Sequence, residues 1–153
     1  MSVEAFRITK TRFVSSAFDG EGARLYGGRW NSKGTRMVYL AGSLSGATLE
    51  LLLHTDDYST ITGLYSYIPV SIPESCIQTI DEAALPKGWD ATTPIAATQM
   101  LGDSWIASLS SSIIKIPSAI TTGEYNFLGN PVHPDFARLN IGFPKEFKLD
   151  PRI

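Results

Sequence analysis

With 153 residues, 43% of them apolar, the chain is sized for one domain with a full core. Thirteen basic and fifteen acidic residues leave a net charge of −2, which excludes a non-specific nucleic-acid binder held by phosphate contacts. The single cysteine, Cys76, excludes an internal disulfide framework and a thiolate-rich zinc site. No run approaches the ~18 apolar residues of a membrane span, and residues 1–10 lack the apolar core of a secretory signal. The expected compartment is the cytoplasm, with no membrane contact.

In chain order, residues 3–8 and 36–41 carry β-branched and aromatic side chains between turn formers and predict two strands. The densest punctuation lies early, with Gly20, Gly22, Gly27, Gly28, Gly34, Gly42 and Gly46 close together, predicting a mostly irregular stretch. Arg24, Tyr26, Arg29, Trp30, Arg36 and Tyr39 are interleaved with these glycines, which suits a binding surface better than a tether. Residues 1–36 hold seven basic and three acidic side chains, the rest six basic and twelve acidic. That local excess suits a compact anion such as a phosphorylated metabolite, or is simply a solvated face.

Ser43 or Ser45 can cap a helix running to about residue 54, with Leu44, Ala47, Leu51 and Thr55 on one stripe. Residues 64–72 and 76–80 predict strands, Pro69 and Pro73 implying an edge or a break. Residues 81–85 suit one helical turn, and Thr93-Pro94 opens a second helix over 95–109 despite Gly102. Residues 112–116 predict a short strand ending at Pro117, and 136–149 one or two more. Strands outnumber helices without regular interleaving, so the fold class is α+β rather than doubly wound.

Several familiar signatures fail. Gly20-Glu21-Gly22 opens like a dinucleotide fingerprint, but Leu25 stands at the third glycine position, and no phosphate-loop motif is present. Glu50 and His54, four apart on a helix, lack a third metal ligand, so no metal is assigned. Cys76 and His133 are not readable as a nucleophile pair, and a buried structural thiol is the commoner state of a lone cysteine.

Four polar positions are harder to dismiss. Glu50 is set among leucines, where a carboxylate is costly unless paired or kept for reaction; otherwise the helix turns it to solvent. Arg29, beside Gly27 and Gly28, can fork onto a phosphate, or stack on Trp30, or pair with an acid. Tyr39 in a strand reads as a buried ring with a satisfied hydroxyl. Ser118, after Ile116-Pro117, reads as a turn-capping hydroxyl.

These residues fall in a pattern that resembles a known family. Residues 20–31 (GEGARLYGGRWN), 38–41 (VYLA), 49–52 (LELL) and 102–105 (GDSW) resemble the RES domain in order and spacing. So do 116–119 (IPSA), 124–126 (EYN), 130–131 (NP) and 133–136 (HPDF), so the likeness spans nearly all of 1–153 as a single RES domain. The family is the toxin half of bacterial RES–Xre toxin–antitoxin pairs, named for an arginine, a glutamate and a serine that map to Arg29, Glu50 and Ser118. The resemblance implies a fold similar to the ADP-ribosyltransferase core, a mixed sheet with a few helices. It implies NAD⁺ as substrate rather than bound cofactor, no metal, and degradation by hydrolysis or phosphorolysis that depletes cellular NAD⁺.

On that resemblance Glu50 would face the oxocarbenium-like ribosyl centre or orient the attacking water. Arg29 would hold the pyrophosphate or a ribose hydroxyl, Tyr39 the nicotinamide ring, and Ser118 the nicotinamide ribose. Arg7, Tyr26, Trp30 and Asn126 would line the pocket. The implied partner is an Xre-type helix-turn-helix antitoxin, with a toxin homodimer plausible and no direct nucleic-acid contact. Two other readings stay open: an ADP-ribosyltransferase acting on a specific protein, and a catalytically inert antitoxin-binding module.

Overall fold

The computed structural model describes all residues 1–153, and its framework is one mixed sheet. Strand β1 (Ser2–Lys10) runs centrally, between β2 (Val38–Ala41) and β3 (Tyr65–Pro73). Beyond β2 lie β6 (Tyr125–Gly129), β5 (Ile113–Pro117) and, parallel to β5, β4 (Ile77–Thr79). On the far side of β3 sit two short pieces, β7 (Asn140–Ile141) and β8 (Lys145–Glu146). Three helices complete the frame: α1 (Glu21–Tyr26), α2 (Leu44–Leu53) and α3 (Ala96–Ser108). The α+β class and the mixed sheet expected from the sequence are therefore present.

Along β2, β5 and β6 the side chains alternate between two apolar clusters, which places the clusters on opposite faces of the sheet. One contains Val38, Leu40, Ile113 and Phe127 with Ala5, Val70 and Ile72. The other contains Met37, Ile114, Ile116 and Leu128 with Trp30 and Trp105, so α3 covers that face. Gly102 is required there. A Cβ on it would stand 1.6 Å from the Trp30 carbonyl oxygen, so the helix can approach the loop before β2 only without a side chain.

Three expectations change. The glycine-rich stretch is not wholly irregular: α1 forms within it, its start held by Gly20 at φ 74° and by Asp19, which accepts from the Glu21 amide at 2.9 Å. Strand β6 was not among the expected strands and proves interior to the sheet. Pro69 neither ends β3 nor leaves it on the edge. Its carbonyl accepts from the Gly142 amide at 2.8 Å on the β7 side, so the missing N–H faces the gap between β7 and β8 and costs the β1 ladder nothing.

Candidate active site

The site opens where the sheet comes apart. Strand β1 pairs with β3 at nine register positions but with β2 only at Phe6–Ala41, so β1 and β2 separate beyond that point. Helix α2 lies over the two strands, and the three elements enclose a cleft of about 220 Å³. Phe6, Ile8, Leu40, Ala47 and Leu51 form its apolar wall; Arg7, Tyr39, Glu50, His54 and Asn126 supply the polar groups.

Helix α2 is placed from both ends of one short strand segment. The Ser43 hydroxyl caps it by accepting from the Gly46 amide at 3.0 Å, and also donates to the Glu124 carboxylate. Two residues along, Asn126 Nδ2 donates to Glu50 Oε1 at 3.0 Å. Glu50 is thus half-buried over the cleft rather than turned to solvent, while Leu49 and Leu53 on the same helix are exposed. Glu124 was missed as a positioning group; its only sequence signal was its place two residues before Asn126.

Arg7 enters from β1. Its Nη1 donates to the Tyr39 carbonyl at 3.1 Å, filling the gap left by the missing β1–β2 ladder. Burial holds its guanidinium below the ordinary arginine value, with the charge of Asp19 acting the other way.

Tyr39 lines the cleft, but its hydroxyl points into the glycine-rich loop. It donates to Asn31 Oδ1 at 2.6 Å and accepts from the Trp30 amide at 3.1 Å. Burial, before all other causes, raises its pKa above the ordinary tyrosine value of 10.0, so the hydroxyl stays protonated. Gly28 makes room for it, since a Cβ there would stand 2.7 Å from the hydroxyl oxygen.

The other predicted residues lie elsewhere. Arg29 Nη1 donates to the carbonyls of Trp89 and Ala91 at 2.9 and 2.7 Å, tying the loop before β2 to residues 89–91. Trp30 is 3% exposed, its ring 6.4 Å from that of Trp89, so it is core and not pocket wall. Tyr26, at 78% exposed, stands free on the surface and lines neither hollow. Ser118 Oγ accepts from the amides of Ile120 and Thr121 at 3.1 and 3.2 Å, capping a turn. It borders a second, wider hollow of about 660 Å³ with Trp89, Glu124 and Tyr125. Strand β6 separates this hollow from the cleft. The basic N-terminal quarter does not converge either, because Glu21 pairs with both Arg24 and Arg36.

Glu50 and His54 share the cleft as their spacing suggested, but no three His, Cys, Asp or Glu side chains are grouped to hold a metal ion. No helix is long and apolar enough to cross a membrane.

Comparison with known proteins follows the same lines. The sequence model described as RES domain matches residues 4–150. The chain is 37% identical over 149 residues to "Toxin Res" of Photorhabdus laumondii, covering 97% of this chain and 95% of that one. It is 31% identical over 158 residues to the "Prs ADP-ribosylating toxin" of a Sphingobium species, covering 100% and 98%. In fold it matches a chain of the M. tuberculosis MbcT–MbcA toxin–antitoxin complex, with TM-score 0.76 and 17% identity over 96% of this chain and 85% of that one.

Proposed function

The chain belongs to the RES domain family, and from that premise we propose that it is the toxin of a toxin–antitoxin pair that binds NAD⁺ at the cleft and releases nicotinamide. The observation that carries this reading is the Glu50 carboxylate, held over the cleft by Asn126 with the Arg7 cation in the same small space.

The chemistry asked of the protein is modest. The bond from the ribose C1′ to the nicotinamide nitrogen breaks with its electron pair going to nicotinamide, which leaves neutral. Positive charge develops at C1′, and a preorganised carboxylate stabilises it; such electrostatic contributions are worth several kcal/mol. Water or inorganic phosphate then attacks C1′, and Glu50 is the group that orients it. A cleft of about 220 Å³ suits a ribosyl group and its neighbours rather than a whole dinucleotide, which leaves the far end of NAD⁺ outside it. Tyr39 presents its ring to the ligand and its hydroxyl to the loop. Arg29 and Ser118 shape the site from behind, by holding residues 89–91 and the turn after β5.

No metal enters this scheme, the toxin acts in the cytoplasm, and an Xre-type helix-turn-helix antitoxin holds it inactive; self-association as a homodimer is part of the same reading. The test is NAD⁺ incubated with purified protein, with and without inorganic phosphate and with a chelator, the products resolved by chromatography. Nicotinamide with ADP-ribose identifies a glycohydrolase, and a phosphate-dependent ADP-ribose phosphate a phosphorylase. Intact NAD⁺ from a folded sample overturns the reading.

A second reading has one observation behind it, the full-length likeness to a relative whose name is an ADP-ribosylating toxin. There the same cleft cleaves NAD⁺ and a protein side chain takes the place of water. Label from NAD⁺ appearing on protein rather than in free ADP-ribose distinguishes it.

A further inference from the structure

The cleft under α2 holds a nitrogen base that the chemistry described above does not use. His54 stands four residues after Glu50, one turn along the same face of the helix, and both line the cleft. Its backbone amide closes α2 on the Leu51 carbonyl at 3.1 Å, while its imidazole is exposed and carries no hydrogen bond within the chain. The other histidine, His133, is the contrast. Its Nδ1 accepts from the Asp135 amide at 3.0 Å, which leaves Nε2 to donate to the Leu109 carbonyl, also at 3.0 Å. That ring is spent on a turn, and the His54 ring is not.

Attack by water releases a proton that must go somewhere. Glu50 Oε1 already accepts from Asn126 Nδ2 at 3.0 Å, and its negative charge is what a ribosyl cation requires. Taking the proton of water would cancel that charge at the step that uses it. Tyr39 turns its hydroxyl away to Asn31 and keeps its proton. Arg7 has no lone pair to offer, and Asn126, the residue of β6 in the cleft, is neutral. Imidazole takes up and gives back a proton near neutral pH, and exposure opens its route to bulk water.

We propose that His54 is a further catalytic residue, the base that accepts a proton from the water attacking C1′. A lone pair of the water oxygen forms the bond to C1′, nicotinamide has left with the electrons of the old bond, and the proton passes to the free imidazole nitrogen and then to solvent. Inorganic phosphate attacks through an oxygen that is already deprotonated. His54 therefore serves hydrolysis and is idle in phosphorolysis. This inference rests on NAD⁺ cleavage at the cleft.

The experiment compares NAD⁺ cleavage by wild type and His54→Gln from about pH 5 to 8, alone, with sodium azide and with inorganic phosphate. Azide attacks as an anion and has no proton to hand over. Wild-type hydrolysis is expected to fall on the acid side as the imidazole becomes protonated. His54→Gln is expected to hydrolyse NAD⁺ about 10²-fold more slowly, to lose that acid limb and to keep its phosphate-driven rate. Azide is expected to restore its turnover, with ADP-ribosyl azide as the product. The groups facing the imidazole are Arg7 from β1, Tyr39 from β2 and Glu50 from its own helix, and of these Glu50 is the rival source of an acid limb.

The assignment of His54 is overturned by hydrolysis at the wild-type rate in folded His54→Gln, by an acid limb that persists there and so belongs to Glu50, or by a loss that azide does not repair. A wild type that cleaves NAD⁺ with phosphate but never without it also overturns it and leaves the NAD⁺ reading standing. NAD⁺ intact in every mixture refutes the NAD⁺ reading itself, and this inference falls with it.

Discussion

The loop at residues 27–32 and the cleft under α2 are joined by one residue, Tyr39, and are built on opposite terms. In the loop the backbone is tied down at nearly every step. Thr98 Oγ1 donates to the Arg29 carbonyl at 2.6 Å, Gln99 Nε2 to the Gly28 carbonyl at 3.1 Å, and the Ser32 amide to Asp103 at 3.1 Å. Asn31 is fully buried, and its Nδ2 reaches the carbonyls of Ala23, Ser32 and Thr35. In the cleft, Arg7 is left with unanswered donors, and Glu50 has a single partner on one oxygen. Satisfied polar groups fix a shape; unsatisfied ones wait for a ligand. The most eye-catching sequence motif therefore has its backbone tied to α3, and the cleft proposed for the chemistry is lined by a plainer helix and strand.

The contrast can be broken from either side. The largest effect is expected from Glu50→Ala, which should lower NAD⁺ turnover by about 10²–10³-fold or more with the melting temperature nearly unchanged. A folded variant that still consumes NAD⁺ at the wild-type rate would remove Glu50 from the chemistry. On the scaffold side, Gly102→Ala should destabilise by about 3 kcal/mol in denaturant unfolding, because the methyl group meets a backbone oxygen that cannot swing aside.

Tyr39→Phe sharpens the boundary between the regions. It strands Asn31 Oδ1 and the Trp30 amide and should cost about 2 kcal/mol. It also has a pH signature. The folded pKa of Tyr39 is raised, so the native state holds the proton more tightly than the unfolded chain. That stability is complete below the ordinary value of 10.0 and is lost as pH climbs past it toward the folded value. Melting temperatures measured from pH 8 to 11 should therefore fall less steeply in Tyr39→Phe than in wild type. The smallest effect is expected from Ser118→Ala, about 1 kcal/mol of stability from the lost turn cap. A turnover loss beyond tenfold without unfolding would place its hydroxyl on the substrate instead.

Legibility followed how local the cause of each feature was. Helix α2 could be read because its cap, Ser43, directly precedes Leu44, the first residue of the stripe it starts, and β1, β3 and β5 because their side chains declare burial. Helix α1 could not, since its ends rest on a left-handed Gly20 and on Asn31 and Gly34 reaching back to the Ala23 and Arg24 carbonyls. Strand β6 lacks β-branched residues altogether and exists because β2 and β5 both need a partner. At the site, the placement of Glu50 among leucines was a usable clue. The bond from Arg7 to the Tyr39 carbonyl was not, because it joins residues 32 positions apart. The partners of Arg29 Nη1 were hidden for the same reason, being carbonyls 60 and 62 residues away.

The strand that carries Asn126 also sets an order of events. Glu50 and Asn126 are 76 positions apart, and the two residues that hold α2, Glu124 and Asn126, both belong to the last third of the chain. A ribosome making this protein releases the acid long before the wall that aims it, and β2 waits equally long for β6. In each molecule α2 gains both of its anchors, and β2 its partner, only as the final strands fold in.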